Sequence, residues 1–335
     1  MLNFIGNDTY ERIKALNNKE ELICARKKTS IGGQALIEGI MMRGPKKTAM
    51  AVRHVSGEMK IKEWETSNKK VPGFFKIPII RGVYNFAASM KLGYKCLMES
   101  AEMSGLDDEI NEKKDVNENK SEEKKPSAFM NVLMVIASVL GVILSLGLFI
   151  FLPNLLFNFL ADAFPAIDKR FYRSLFTGIL KIIIFVLYMV LVSLMKDIRR
   201  TFMYHGAEHK TIFCYEAGLE LTVENVKKMN RFHPRCGTSF MILMLIVSIF
   251  ITMLIPFTNP LLRTACTIVL LPITMGLGYE LIKIAGRHDN FFTRLISLPG
   301  VWLQHVSVLE PDDSMIECAI EAVKRVIPDD DSDRW

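Results

Sequence analysis

The chain has no long apolar run near its start, and the first begins beyond residue 125. A secretory signal peptide carries its apolar region within about the first 30 residues, so none is expected. No basic stripe interleaved with aromatic residues is present, so nucleic acid is not an expected partner. A phosphate-binding loop is also missing, because Pro45 stands where the spacing from Gly39 to Gly44 would require lysine.

Half of the residues are nevertheless hydrophobic, and four long apolar runs explain this fraction. Each run is close to the ~20 residues that a helix needs to cross ~30 Å of hydrocarbon. The sequence therefore predicts an α-helical polytopic membrane protein with four transmembrane helices in a lipid bilayer. The predicted spans are Ala128–Leu152, Leu175–Met195, Ser239–Phe257 and Leu261–Ile284.

Lysine and arginine near the span ends predict the orientation. The turn between the third and fourth spans carries no basic residue before Arg263, whereas the segment between the second and third spans is basic. Both termini are thus predicted to be cytoplasmic. None of the 6 cysteines lies in a predicted external loop, so no disulfide framework is expected. The basic residues are Lys196, Arg199, Arg200, Lys210, Lys227, Lys228, Arg231 and Arg235.

Ionisable side chains are scarce inside the predicted spans. Lys181 and Lys283 are interpreted as lying close to span ends, where long side chains can snorkel towards water. A transporter or proton pump normally needs buried acidic or histidine partners in the membrane. This composition therefore disfavours transport.

The sequence outside the spans predicts a small cytoplasmic α+β unit before the first span. Its strands would be Thr48–Arg53 and Glu58–Trp64, joined as a hairpin, and Ile79–Leu97 has one apolar helical face. The predicted boundaries are 1–29 for a polar tail, 30–104 for the α+β unit, 105–127 for a flexible linker, 128–286 for the four-span bundle, 197–237 for a His-rich cytoplasmic segment within it, and 287–335 for an interfacial segment followed by a C-terminal amphipathic helix.

Potential metal ligands crowd together in the His-rich segment. His205, Glu208 and His209 form an H-x-x-E-H pattern, and His233 and Cys236 follow. On a helix, residues i and i+4 share one face, so the two imidazoles could bind one divalent metal, with Zn²⁺ the best fit. Glu208 would act as general base on a metal-bound water. The third ligand is left open between His233 and Cys236.

A simpler interpretation needs no metal. His205 and His209 would then be residues beside the membrane that pair with Glu208, Glu216 or lipid phosphate. Gly206 also weakens a helix here by about 1 kcal/mol relative to alanine.

Three polar residues stand in the glycine-rich stretch from residue 31 to residue 45, namely Gln34, Glu38 and Arg43. One hypothesis is that they complete the site near His205, which predicts that Glu38 or Arg43 lies within contact distance of the His205 and His209 pair. The other is a structural pair of Glu38 with Arg43 within a turn, because a charge in an apolar stretch must be paired or solvated.

The strings GGQALIEGIMMRGP, YHGAEHKTIFCYE, HPRCGTSF and LPGVWLQ, in this order, resemble the YqhQ-like family of uncharacterised bacterial membrane proteins. The resemblance extends from about Ile31 to Pro328. It implies a bacterial inner-membrane protein of a domain of unknown function, described as a predicted metal-dependent enzyme, and it implies no particular substrate.

Together these observations predict a metal-dependent membrane enzyme with a site beside the membrane that faces the cytoplasm. Hydrolysis of a membrane-embedded protein or of a lipid-linked substrate is the expected chemistry. The alternative is a non-catalytic assembly or scaffold protein of the membrane, in which the His/Cys cluster is structural.

Overall fold

The computed structural model describes residues 28–66, 72–106, 128–165, 169–233, 236–287 and 290–334. Nearly all of the predicted polar tail and of the predicted linker lies outside these residues. The fold is mainly helical, with one small sheet near the start of the chain.

Four strands form an antiparallel sheet in the order β1-β2-β3-β4. β3 and β4 occupy the stretch where the sequence predicts a hairpin, and Arg53 faces Met59 at its closed end. The glycine-rich stretch forms the first hairpin, whose two-residue turn places Glu38 at a positive φ of 50°. The strands are β1 Gly32–Leu36, β2 Gly39–Arg43, β3 Lys47–Arg53 and β4 Met59–Glu65.

The sheet has apolar residues on both faces, and each face is covered by helices. Alternate residues of a strand point to opposite faces. Ile40 and Met42 point to one face, where the larger apolar core lies, and Met41 points to the other, where Met50 and Cys96 pack. The sheet is therefore the middle layer between helices.

Ten α-helices accompany the sheet within the described residues. They are α1 Ile80–Ser104, α2 Ala128–Leu146, α3 Leu152–Ala163, α4 Arg170–Ser193, α5 Lys196–Glu216, α6 Val223–Lys227, α7 Gly237–Met253, α8 Pro260–Arg287, α9 Phe291–Ser307 and α10 Asp313–Lys324. A π-helical turn, Gly147–Phe151, joins α2 to α3.

Three helical stretches are long and apolar enough to cross a membrane. They are Val139–Ala163, Arg170–Ser193 and Pro260–Ala285, and each overlaps a predicted span. The remaining predicted span coincides with α7, which is apolar but has 17 residues. By length and composition the structure therefore supports three spans.

Lys181 does not lie where the sequence placed it. It is near the middle of α4 rather than close to its end, and only 5% of it is exposed. The expectation that it snorkels to the surface is wrong, because its side chain is enclosed by the neighbouring helices.

α5 connects the apolar helices to the sheet. It follows α4 after a break at Met195, whose backbone is extended. α5 packs against β1, β2 and α10, and α10 covers the larger core with Met315, Ile316 and Ala319. The His-rich segment thus begins on a helix that is buried along much of its length.

Gly206 allows a chain segment after α9 to cross α5 in direct contact. A Cβ atom at this position would lie 1.9 Å from the carbonyl oxygen of Leu309. The Leu309 N–H also donates to the Phe202 carbonyl at 2.9 Å, which fixes the crossing. The glycine is therefore required by packing, and this requirement outweighs its weak helix propensity.

Gly206→Ala is expected to destabilise the protein by at least about 2 kcal/mol, since the new methyl group meets a backbone oxygen that cannot rotate away. Thermal unfolding in detergent measures the effect. Gly141→Ala is the matched helical control, because a Cβ there meets nothing within 4 Å. Equal melting temperatures for the two variants would contradict the close crossing.

Candidate metal centre

The H-x-x-E-H pattern lies on α5, so its two histidines share one face as the spacing predicts. The ring centroids of His205 and His209 are 4.5 Å apart in an edge-to-face arrangement. His209 is 2% exposed. Two imidazoles are thereby held side by side where little water reaches them.

Cys236 completes the cluster. It is the residue before the first turn of α7, and it is buried. Its Sγ atom lies 3.1 Å from Nε2 of His205. One ligand atom each from His205, His209 and Cys236 lies within 4.8 Å of the other two, close enough for all three to hold one metal ion.

Backbone carbonyls fix the tautomers of both histidines. Nδ1 of His205 donates to the Ser307 carbonyl at 3.0 Å, and Nδ1 of His209 donates to the Arg231 carbonyl at 2.6 Å. A carbonyl only accepts, so Nδ1 carries the proton in each ring. Nε2 is then the available lone pair, which is the arrangement that metal-binding histidines normally have.

His205 and Cys236 also shift each other's pKa. Burial alone would raise the pKa of the Cys236 thiol, but the adjacent His205 and His209 imidazoles outweigh burial and lower it well below its usual value. Burial likewise opposes the charged form of His205, yet the Cys236 thiolate raises its pKa to about 9. Without a metal, the two form a thiolate–imidazolium pair.

Glu208 lies beside the cluster but is not one of its three mutually close ligands. The Gly33 N–H of β1 donates to its Oε1 at 3.1 Å, and the residue is 6% exposed. Burial raises the pKa of this carboxyl, although the nearby His205 and His209 act in the opposite direction. The carboxyl is therefore adjacent to the candidate ligands and held by the sheet edge.

His233 is placed outside the triad. Its Nε2 faces the buried Glu216 at 3.9 Å, and its ring packs on Phe213. The side chain of Gln304 binds both polar groups of the His233 backbone, accepting at 2.8 Å and donating at 2.7 Å. Of the two third ligands that the sequence left open, the structure brings Cys236 to the histidines.

Glu38 reaches α5 on the neighbouring face. It binds the guanidinium of Arg200 and accepts from the Tyr204 hydroxyl at 3.4 Å. The predicted pair of Glu38 with Arg43 is therefore wrong, because Arg200 is the ion-pair partner of Glu38. Glu38 in the turn and Gly33 in β1 thus contact positions i, i+4 and i+8 of α5, which form one stripe.

Gln34 and Arg43 line a cavity of about 450 Å³ between the sheet and α1. Gly33 lines the same cavity and binds Glu208 from its backbone. Gln34 and Arg43 thus line a cavity that is separated from Glu208 by Gly33.

Sequence reasoning missed the groups that orient the ligands. The Ser307 and Arg231 carbonyls belong to the backbone, so no residue type signals them. Gln304 is the exception, since it lies within the LPGVWLQ string that carries part of the family resemblance.

The comparisons with known proteins agree with that resemblance. The family described as "Protein of unknown function (DUF1385)" matches residues 77–329, and the chain belongs to this family. The "Uncharacterized protein YqhQ" of Bacillus subtilis (strain 168) is 34% identical over 301 residues, which cover 88% of this chain and 92% of that protein. No solved structure matches.

The metal-free protein is expected to hold Cys236 as a thiolate at neutral pH. Its pKa is lowered, so it stays deprotonated down to well below pH 9, and His205 keeps its proton up to about pH 9. His205→Ala should return the pKa of Cys236 towards or above its ordinary value, because burial would then dominate. Ultraviolet thiolate absorbance of chelator-treated protein measures this, with Cys236→Ala as the blank.

Cys96, Cys214 and Cys318 contribute little to the signal, because burial raises the pKa of Cys96 and raises those of Cys214 and Cys318 to about 11. The Cys236→Ala blank subtracts the absorbance of the remaining thiols. A thiolate signal at pH 7 that is unchanged by His205→Ala would contradict the pair.

Proposed function

We propose that this protein is a metal-dependent membrane enzyme whose His205, His209 and Cys236 bind one divalent metal ion. The observation that carries the proposal is the fixed orientation of both imidazoles, whose Nε2 atoms are left for a ligand beside a thiol. Two imidazoles and one thiolate are ligands typical of zinc.

Three protein ligands leave a fourth position for water, as in catalytic zinc sites. A metal ion there would supply an activated water at neutral pH. Glu208 is adjacent, and burial raises the pKa of its carboxyl towards the range in which a general base works best. In this proposal Glu208 would serve as the general base, with its carboxylate held in place by the Gly33 N–H.

The proposed setting is the bacterial inner membrane, with α7 as a fourth span and with both termini cytoplasmic. Cys236 immediately precedes α7, and Ser307 ends the apolar helix α9. The centre would then lie where the spans meet the cytoplasm. Hydrolysis of a lipid-linked substrate or of a membrane-embedded protein fits this level, with the cavity beside Gln34 and Arg43 as a binding space.

A scaffold protein with a structural metal site is the competing function. Structural zinc sites normally have four protein ligands. Within the described residues the group of mutually close ligands has three. This count favours catalysis, since an open position serves no structural purpose.

Purified wild-type protein is expected to contain close to one zinc per chain by elemental mass spectrometry. The double variant with His205→Ala and His209→Ala should lose it, and so should Cys236→Ser, because both remove ligands from the triad. His233→Ala is the matched control and should keep the metal, since His233 faces Glu216.

Stoichiometric metal in the double histidine variant would rule out the triad as the binding site. If the His233→Ala variant folds but loses its metal, His233 is a ligand. Circular dichroism separates either result from unfolding.

Glu208→Gln is expected to keep its zinc while hydrolysis slows. Loss of a general base typically costs a factor of about 10² to 10⁴ in rate. Hydrolysis of p-nitrophenyl acetate by the zinc-loaded protein serves as the measurement, and Asp197→Asn, at an exposed carboxyl in the first turn of α5, serves as control. Equal rates for wild type and Glu208→Gln would favour the scaffold.

A further inference from the structure

β1 is an edge strand of the sheet, and its outer side lies beside the candidate metal centre. The strand order places β1 at one end of the sheet, so only one of its two sides has a neighbouring strand among the described residues. Unpaired N–H and C=O groups on such an edge can pair with a further chain. The outer side of β1 therefore bears on what the site can bind.

Two hydrogen bonds show which groups of β1 face outward. The Gly33 N–H donates to Oε1 of Glu208 at 3.1 Å, and the Ile37 N–H, just after the strand, donates to Oγ of Ser100 at 3.2 Å. In an antiparallel pair, alternate residues direct both backbone groups towards the partner strand and away from it. Ala35 lies midway between Gly33 and Ile37, so its N–H and C=O also face outward.

The N–H and C=O of Ala35 and the C=O of Gly33 form what we call the open edge. Among the residues that the structure describes, none makes a hydrogen bond to these three groups. Gly33 and Ala35 are half-buried and Gly32 is exposed, so solvent reaches the open edge. A donor and two acceptors in this arrangement match the backbone of an extended chain.

Two glycines keep the space beside the open edge clear. Gly33 is required by packing, because a Cβ there would lie 2.7 Å from the Met41 carbonyl oxygen and from Sδ of Met42. Gly32 is not required in this way, since a Cβ there meets no described atom within 4 Å. Glycine inside a strand weakens it and often marks a place where a ligand or a second backbone comes close. Gly32 therefore suits a ligand rather than the packing of the protein.

The cavity of about 450 Å³ opens next to the same edge. Gly32, Gly33 and Gln34 line it from β1, and Arg43 lines it from β2. Successive side chains of a strand alternate between the two faces of a sheet. In a chain paired with the open edge, every second side chain would therefore point to the face of the sheet on which this cavity lies.

The open edge leads to the candidate metal centre. Glu208 accepts the Gly33 N–H at one end of it, and the neighbouring position on α5 is the candidate ligand His209. A strand rises about 3.4 Å per residue, so three residues of a bound chain cover about 10 Å. A chain that pairs with Ala35 and continues along β1 therefore passes the Glu208 carboxyl.

We propose that the open edge binds an extended polypeptide segment as an added strand of the sheet, which makes a polypeptide the substrate class of the centre. The inference rests on the proposed function for the role of the centre, and it selects the protein substrate over the lipid-linked one. The Ala35 N–H and C=O hold the segment, its backbone runs past Glu208, and the cavity takes one of its side chains.

Binding is measured with metal-free, full-length protein in a maltoside detergent, so that the result does not depend on catalysis. Fluorescein-labelled β-casein, an unfolded polypeptide, is titrated and its fluorescence anisotropy is recorded. Wild type is expected to bind it saturably. Ala35→Pro should weaken binding by at least about tenfold, because the donor of the open edge is lost and the proline ring stands in the path of the incoming strand.

Ala35→Pro spares the sheet, because β2 does not use the Ala35 N–H, and proline is tolerated on edge strands at such positions. Glu65→Pro is the matched control on β4, the strand at the opposite end of the sheet. The Thr66 N–H donates to the Lys46 carbonyl, so the preceding Glu65 N–H faces outward. Glu65→Pro should bind β-casein like wild type.

Gly32→Leu is a second test, because its side chain extends into the cavity without meeting a described atom at the Cβ. It should also weaken β-casein binding, and it replaces Ala35→Pro if that variant does not fold. Circular dichroism establishes folding for each variant.

Absence of saturable binding by wild type would overturn the proposal, and so would equal binding by wild type, Ala35→Pro and Gly32→Leu. Zinc content and p-nitrophenyl acetate hydrolysis of wild type are measured separately, and their presence in that case would leave the proposed function intact. Binding that Ala35→Pro loses and Glu65→Pro keeps would support the open edge. If such a wild type held no zinc, that result would count against the proposed function alone.

Discussion

The packing of α5 is the constraint on which the rest of the structure depends. This helix presents three stripes to three different partners. Arg200, Tyr204 and Glu208 meet the hairpin of β1 and β2, while His205 and His209 face the candidate metal site. Phe202, Gly206 and Lys210 meet the segment after α9, where Glu310 binds the Lys210 ammonium. Moving any one partner would rotate or shift the histidines.

Two glycines make this packing possible from opposite sides. Gly206 admits the Leu309 carbonyl, and Gly33 brings its backbone N–H to Glu208, where a Cβ would lie 3.0 Å from the carboxyl carbon. Two further groups of the centre are placed by the ends of helices. Cys236 precedes α7, and the Ser307 carbonyl is one of those left unpaired at the end of α9. The apolar helices thereby position polar groups of the centre.

The candidate metal centre lies on the helix that follows α4. It gathers a thiol, two imidazoles and a carboxyl, which together suit a cation. The buried Arg263 has a different role, because it donates to the carbonyls of Thr252, Ile255 and Phe257 and so closes the end of α7. Buried polar groups therefore face one another at the centre and satisfy the backbone at the end of α7.

The sequence alone was enough to predict the apolar helices, the hairpin of β3 and β4, and the crowding of His205, Glu208 and His209, because each follows from local spacing along the chain. It left the third ligand open and gave Glu38 the wrong partner, since Cys236 and Arg200 are brought in by contacts between distant segments. It also misplaced Lys181, because the burial of this side chain depends on helices that pack against α4 and not on the sequence of α4. Only the tertiary structure could supply the carbonyls that orient the imidazoles, because every residue type has one.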